Sequence, residues 1–212
     1  MAIDGRDARW AEHRVTRRRE LVDHAMRAIH RHGANVGMDE IAAQAGTSKT
    51  VIYRHFGDRA GLYAAIGEAV HDRILSEVTL ALEHSDPSDL GRLTADLAEA
   101  YLALVERDPS LYRFLMSPPL GVSAQDPAGR VPTVLGDRLE AVLAARLAAA
   151  GQDPAPAATW GHGLVGFIRA AADRWMDSDP RPPRGVVVDH ITSLFAPAFS
   201  AGFTTVPTKE YR

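Results

Sequence analysis

Residues 46–56, GTSKTVIYRHF, combine hydrogen-bond donors with apolar side chains in one short segment. If this segment is helical, Val51, Ile52 and Phe56 lie on a side that packs against protein. The other side then carries the donors Lys49, Thr50, Tyr53, Arg54 and His55. Lysine can contact guanine O6 and N7, the threonine methyl can contact thymine, and Tyr53 and His55 can donate to phosphate oxygens. The pattern therefore predicts a helix that docks on one face and binds nucleic acid with the other.

The distribution of charge agrees with this prediction. Residues 1–60 carry 11 basic and 8 acidic residues, a net charge of +3, whereas the remaining residues carry 13 and 19, a net charge of −6. Clustered cations favour a polyanionic partner because binding releases the counterions of the phosphates. The same excess is also compatible with a solvated charged surface.

The sequence on both sides of residues 46–56 is also predicted to be helical. Apolar residues recur at intervals of three and four throughout the chain, so we predict an all-α fold. A first helix is predicted over residues 12–32, ending at Gly33, and a short second helix over 38–45, ending at Gly46. Ser48 can cap a third helix by accepting hydrogen bonds from backbone N–H groups near Val51. Two short helices about a glycine-containing turn form a helix-turn-helix.

The segment from Arg17 through Leu62, and above all the run MDEIAAQAGTSKTVIYRHFGDRAGLY at residues 38–63, resembles the N-terminal DNA-binding domain of the TetR family of bacterial transcriptional regulators. Three positions depart from the family pattern: Gly37 stands where Ser or Thr is usual, Thr47 where an apolar residue is usual, and Arg59 where Lys is usual. The resemblance implies a homodimer of about nine helices per subunit. It also implies a helix-turn-helix domain over residues 1–57 and a helical ligand-binding and dimerisation domain over residues 58–212.

The resemblance also implies roles for individual residues. Residues from Thr47 to Thr50 would approach bases, and Tyr53 and His55 would hold the DNA backbone. Cations at the starts of two long helices would hold flanking phosphates. The complete DNA-binding set is Arg17, Arg18, Thr47, Ser48, Lys49, Thr50, Tyr53, His55 and Arg59.

The C-terminal two thirds of the chain are predicted to continue as helices. They span residues 58–82, with Asp58 as N-cap, then 87–107, 109–116, 134–150, 154–176 and 185–201. The proline-rich stretch 117–132 is predicted to be a loop, and Pro197 to kink or end the last helix. In the family the last two helices of each subunit pair across the dimer.

An effector pocket would be lined from the helices 87–107, 109–116 and 154–176. Candidate lining residues are Tyr101, Leu104, Phe114, Leu115, Val165, Phe167 and Ile168, with Tyr112 or Arg169 as a polar anchor. Because apolar side chains predominate, we expect an elongated ligand of fatty-acyl type. Packed core residues would show the same pattern.

One motif suggests a different function. Residues 161–166, GHGLVG, match the dinucleotide-binding pattern G-x-G-x-x-G, but no strand pattern precedes them, so a glycine-rich helix face is the favoured interpretation. His162 is interpreted as a core or interface histidine more readily than as a ligand contact. Cysteine is absent and no nucleophile motif occurs, so we expect no enzyme activity, cofactor or metal site.

The chain has neither a signal-peptide pattern nor an apolar run of about 18 residues, so a cytoplasmic protein without membrane segments is expected. The function that these patterns favour is a ligand-released repressor that binds a palindromic double-stranded DNA operator as a homodimer. The alternative is a small-molecule or lipid-binding protein that does not read DNA sequence.

Overall fold

The computed structural model describes residues 5–84, 89–117 and 127–202. Over these residues every regular element is an α-helix, which confirms the predicted all-α class. The helices are α1 (Gly5–His32), α2 (Met38–Gln44), α3 (Lys49–Phe56), α4 (Arg59–His84), α5 (Leu90–Arg107), α6 (Pro109–Met116), α7 (Pro127–Ala149), α8 (Pro156–Met176) and α9 (Arg184–Gly202).

The chain divides into two compact units. The first comprises Met1–His71 and Asp108–Ala128, and contains α1, α2, α3, α6 and the first half of α4. Its apolar core lies where α1 packs on α2 and α6. The most deeply buried side chains there are Leu21, Ala25, Ile29, Ile52 and Ile66.

The second unit comprises Asp72–Arg107 and Gly129–Arg212. Its principal contact is between α5 and α9, and α8 packs on both. Its core contains Leu102, Val105, Leu143, Leu147, Leu164, Ile168 and Ile191. At its surface, the guanidinium of Arg184 binds the carboxylates of Glu99 and Glu106 and so ties the start of α9 to α5.

One predicted boundary is wrong, whereas the predicted helix 185–201 agrees closely with α9. The predicted loop 117–132 is already helical from Pro127, because proline is well suited to the first turn of a helix. Pro132 lies inside α7, where it removes one backbone hydrogen bond without ending the helix. Residues 118–126 of that loop lie outside the described residues. Helix α9 continues through Pro197 to Gly202. Pro197 and Ser193 are both exposed, so water can bind the Ser193 carbonyl that lacks its helical partner.

Candidate nucleic-acid interface

The helix-turn-helix is built from α2, a four-residue turn and α3. Ile41 and Ala42 of α2 are buried, as are Ile52 and Phe56 of α3, so both helices pack inward along one face. In the turn, Gly46 has a φ of 59°, a left-handed conformation that favours glycine. The N–H of Thr47 donates to the carbonyl of Ala42 at 3.0 Å. This turn closes tightly enough to place α3 beside α2.

The start of each short helix has a different cap. Ser48 begins α3, and its hydroxyl accepts from the N–H of Val51 at 3.4 Å, as the sequence predicts. Gly37 begins α2 with extended backbone and no side-chain cap. A Cβ at Gly37 would lie 2.6 Å from Oε2 of Glu40, so glycine admits this carboxylate over the helix start. An acidic group there is favourable because it faces the positive end of the helix dipole.

The outward face of α3 carries the predicted contact residues. Ser48, Lys49, Thr50 and Tyr53 are exposed, while Thr47 and His55 are half-buried. Arg59, the first residue of α4, is exposed, and the carboxylate of Asp58 before it accepts from the N–H of Gly61 at 2.8 Å. The exposed residues from Ser48 to Tyr53 therefore present donors and methyl groups along one short helix.

Lys49 is held by a neighbour that the sequence did not reveal. Its ammonium nitrogen lies 2.9 Å from Oδ1 and 3.2 Å from Oδ2 of Asp39 on α2. The hydrogen bond and the charge of Asp39 raise the pKa of Lys49 above its usual value, so the cation is fully charged at neutral pH. A base or phosphate that takes Lys49 must compete with this carboxylate.

Arg18 joins α1 to the end of α3. Its guanidinium donates to the carbonyl of His55 at 2.7 Å and lies 4.4 Å from the ring centroid of Phe56. Arg17, one residue earlier, instead pairs with Glu20 on the exposed side of α1 at 2.8 Å. The two adjacent arginines therefore differ: Arg18 holds the position of α3, and Arg17 is available at the surface.

A basic groove lies between residues 13–18 of α1 and the helix α3. It has a volume of about 790 Å³ and is lined by His13, Arg14, Val15, Arg17, Arg18, Val51, Arg54 and His55. Burial, followed by the charges of Arg54, Arg17, Arg18 and Arg14, lowers the pKa of His55 below its usual value. Cations gathered in this way attract an anion of several charges, such as a phosphate backbone.

Sequence reasoning did not assign Arg14, Arg54 or Asp39 to the site. Arg14 lies one helical turn before Arg18, so its spacing could have revealed it. Arg54 had been placed on the open side of α3 without a role. The sequence does not show that Asp39 lies beside Lys49, because this proximity depends on the angle between α2 and α3 at the turn.

The predicted effector residues are divided between the two units. In the first unit, the Phe114 ring packs 5.5 Å from that of Tyr63, and the Tyr63 hydroxyl donates to the carbonyl of Leu115 at 2.6 Å. Tyr112 is half-buried there. In the second unit, the buried members of the set are Tyr101, Val165 and Ile168, with Leu104 half-buried.

Two members of that set do not face the core of their unit. Phe167 is 39% exposed, with its ring edge-on to Phe195 at 5.0 Å, and Arg169 is also exposed. The reason is the helical period, because Val165, Ile168 and Ala172 occupy the buried face of α8 and residues 167 and 169 cannot share it.

The pattern G-x-G-x-x-G lies entirely within α8. Its glycines therefore form no turn between a strand and a helix, which is the structure that binds a dinucleotide phosphate. Among the described residues, no helix has the length and apolar character needed to cross a membrane.

Comparison with known proteins decides the family. A protein-family model described as bacterial regulatory proteins of the tetR family matches residues 21–66, and one described as a tetracyclin repressor-like C-terminal domain matches residues 79–204. An uncharacterized HTH-type transcriptional regulator of Mycobacterium tuberculosis is 36% identical over 191 residues, covering 90% of this chain and 80% of the relative. The chain belongs to the TetR family. It is accordingly a transcriptional regulator rather than an enzyme.

Two further proteins resemble this TetR-family regulator, one over part of its sequence and the other in its fold alone. The HTH-type transcriptional activator FasR of Mycolicibacterium smegmatis is 39% identical over 79 residues, which cover 37% of this chain and 35% of FasR. The crystal structure of the transcriptional regulator FadR of Bacillus subtilis, in complex with stearoyl-CoA, matches with a TM-score of 0.67 at 14% identity. That match covers 84% of this chain and 96% of FadR.

Proposed function

We propose that this TetR-family regulator is a homodimeric repressor that binds a palindromic DNA operator and is released by an apolar, fatty-acyl-like effector. The observation that carries the proposal is the exposed face of α3 beside a groove lined by arginines. Residues 1–57 would read DNA, and residues 58–212 would bind the effector and the second subunit. A DNA-binding role also implies a cytoplasmic location.

The outer surfaces of α8 and α9 support the proposed dimer. Gly163, Gly166, Phe167 and Ala170 are exposed and recur at helical spacing on α8. A Cβ at Gly163 or Gly166 would meet no atom within 4 Å, so packing inside the subunit does not require these glycines. Leu194 of α9 is 56% exposed. Small residues bordered by large apolar ones suit a close, self-complementary helix pairing.

In such a dimer, two-fold symmetry would place the two α3 helices in successive major grooves, about 34–36 Å apart. The operator would then be a palindrome whose half-sites are one helical turn apart. Lys49 and Thr50 would contact bases, whereas Tyr53, His55 and Arg17 would contact phosphates.

The effector class rests on composition and on a structural neighbour. The buried residues of the predicted set in the second unit are aliphatic or aromatic, and FadR shares the fold and is described with stearoyl-CoA bound. We propose that the effector alters the separation of the two α3 helices. Linkage then requires operator DNA to weaken effector binding by the same factor.

The first experiment is selection of genomic DNA fragments by the purified protein at two salt concentrations. A shared palindrome whose affinity falls steeply with salt would support the proposal. Salt-sensitive binding without a shared sequence would favour the alternative, a small-molecule or lipid-binding protein that does not read sequence. A reporter fused to the recovered operator then gives the sign of regulation, since loss of the regulator should raise expression if it is a repressor.

Two substitutions separate base contacts from phosphate contacts. Lys49→Ala should cost roughly 1–3 kcal/mol of operator binding and relax the preference at one base position. Tyr53→Phe should weaken binding to all sequences alike. The measurement is binding to operator DNA and to scrambled DNA. If Tyr53→Phe changes the base preference and Lys49→Ala weakens binding to all sequences alike, then Tyr53 contacts a base and Lys49 a phosphate.

Acyl-CoA titration tests the effector. Long-chain acyl-CoA should release operator DNA, and lipid should be found in organic extracts of the purified protein. Preferential binding of a polycationic drug, or simultaneous binding of operator and acyl-CoA without mutual weakening, would contradict the proposed effector.

A further inference from the structure

Helices α7 and α8 approach each other closely at two glycines. A Cβ added to Gly161 of α8 would lie 2.8 Å from the backbone nitrogen of Glu140 and 3.0 Å from the carbonyl oxygen of Gly136, both on α7. A Cβ at Gly136 would overlap the imidazole of His162, with Cε1 only 2.6 Å away. The two glycines therefore let His162 lie directly against the backbone of α7.

This approach brings three metal-ligating side chains together. The His162 Nε2 atom lies 3.2 Å from Oδ1 of Asp137 and 3.7 Å from Oε2 of Glu140. One donor atom from each of the three residues lies within 4.8 Å of the other two. All three side chains are accessible to solvent, with exposed fractions of 39% for His162, 62% for Asp137 and 42% for Glu140.

The spacing suits a metal ion held between the donors. Nitrogen and oxygen ligands bind Zn²⁺ at about 2.0–2.2 Å, so neighbouring ligands in such a site are about 3–3.6 Å apart. The two distances from Nε2 are close to this range. Asp137 and Glu140 are three residues apart on one helix, so their carboxylates lie on the same side of the imidazole.

The orientation of the imidazole is a separate observation. Its Nδ1 edge faces Gly136, and its Nε2 atom faces the two carboxylates. A side chain at position 136 would force the ring to turn or withdraw. The backbone of α7 thus presents Nε2 in the position from which it can bind an ion shared with the carboxylates.

We infer that Asp137, Glu140 and His162 form a binding site for a divalent transition-metal ion, of which Zn²⁺ is the reference member. The imidazole favours Zn²⁺, Co²⁺ or Ni²⁺ over the oxygen-seeking Mg²⁺ and Ca²⁺. Water completes the coordination shell from the exposed side. Because its ligands come from both helices, the ion fastens α7 to α8 and stabilises the folded chain by mass action. The site goes beyond the proposed function, and it revises the sequence-based expectation of no metal site.

The test is calorimetric titration of the full-length, chelator-treated protein with Zn²⁺, together with Co²⁺ absorption spectra. We expect one Zn²⁺ per chain, a higher Tm with Zn²⁺, and no shift with millimolar Mg²⁺. His162→Gln and the double variant Asp137→Asn/Glu140→Gln should each bind at least about tenfold more weakly. His32→Gln, which removes an exposed histidine from α1, should bind like the parent chain.

A glycine substitution tests the geometry while keeping all three donors. Gly136→Ala should displace the imidazole and weaken Zn²⁺ binding about tenfold or more. Gly185→Ala is the matched control, because a Cβ there meets no atom within 4 Å. Circular dichroism shows whether each variant folds, and the double carboxylate variant remains informative if Gly136→Ala does not.

No Zn²⁺ binding by the parent chain, or unchanged binding in both the His162 and the carboxylate variants, would overturn the site. These outcomes are independent of DNA binding, so they are distinguishable from failure of the proposed operator function.

Discussion

Two of the proposed DNA contacts on α3, Lys49 and His55, are affected by neighbouring groups of the protein. Lys49 is paired with Asp39, and burial together with nearby arginines lowers the pKa of His55. Phosphate oxygens of bound DNA could replace Asp39 as the partner of Lys49, and could offset the positive charges of the arginines near His55. If both residues contact DNA as proposed, DNA binding should be accompanied by a measurable change at each of them.

Replacing Asp39 should strengthen DNA binding. Asp39→Asn releases Lys49 and removes a negative charge near the phosphates, so we expect a gain of a few fold, on the order of 0.2–1 kcal/mol. The measurement is operator affinity by fluorescence anisotropy at two salt concentrations. Glu40→Gln is the control, since it removes an adjacent acidic group that does not bind Lys49. An equal gain in both variants would mean that net charge alone is responsible.

The low pKa of His55 predicts that DNA binding strengthens as pH falls. In the free protein, burial and the arginines hold the pKa of His55 below its usual value, which favours the neutral imidazole. An adjacent phosphate raises this pKa, and the complex then binds more protons than the free protein. Affinity should rise about two- to tenfold as pH falls from about 7.5 to about 6.

The control variant is His55→Gln, whose side chain still donates hydrogen bonds but does not titrate in this pH range. Its DNA affinity is measured over the same pH values. Its profile should be flatter than that of the parent chain, and His32→Gln should retain the parent profile. If His55→Gln shows the same dependence of DNA affinity on pH as the parent chain, His55 is not the proton-binding group.

Among the helices, α1 carries many basic residues, and one of them has a structural role in holding α3. The Arg18 guanidinium binds the last turn of α3 through the His55 carbonyl and the Phe56 ring, while Arg19 points to solvent. Adjacent arginines on one helix thus have different functions because their side chains leave the helix about 100° apart.

Arg18→Ala should destabilise the protein, and Arg19→Ala should not. Loss of a charge-assisted hydrogen bond and an aromatic contact should lower the free energy of unfolding by about 1–3 kcal/mol. Arg19→Ala should change it by less than about 0.5 kcal/mol. Urea unfolding measures both, and equal stabilities of the two variants would show that Arg18 does not hold α3.

For the molecule as a whole, the proposed dimer through the exposed face of α8 and α9 would determine whether two α3 helices bind one operator together. Leu194→Asp introduces a charge into the proposed dimer surface, so we expect subunit affinity to fall by at least about tenfold. Light scattering coupled to gel filtration measures the mass, and operator affinity should fall with dimerisation. Leu80→Asp removes a similarly exposed leucine from α4 and should leave the mass unchanged. An unaltered mass for Leu194→Asp would place the dimer surface elsewhere.

Local patterns predict much of this protein. The helical class, the Ser48 cap and the inward faces of α2 and α3 follow from spacing and capping within a few residues, and these interactions are local in sequence. For the same reason the motif of residues 38–63 was sufficient to indicate the family. The β-branched residues Val186–Val188 have a lower helix propensity than alanine or leucine, yet α9 forms there with Val187 and Val188 buried.

Contacts between distant segments required the three-dimensional arrangement. The pair Lys49–Asp39, the bond from Arg18 to the His55 carbonyl and the cluster of His162 with Asp137 and Glu140 each depend on how two helices cross. Crossing geometry is set by packing over many side chains, and residues 10 to 37 positions apart carry no local signature of it. The sequence alone therefore identified a helical DNA-binding regulator, whereas the partners of its charged side chains emerged only from the folded chain.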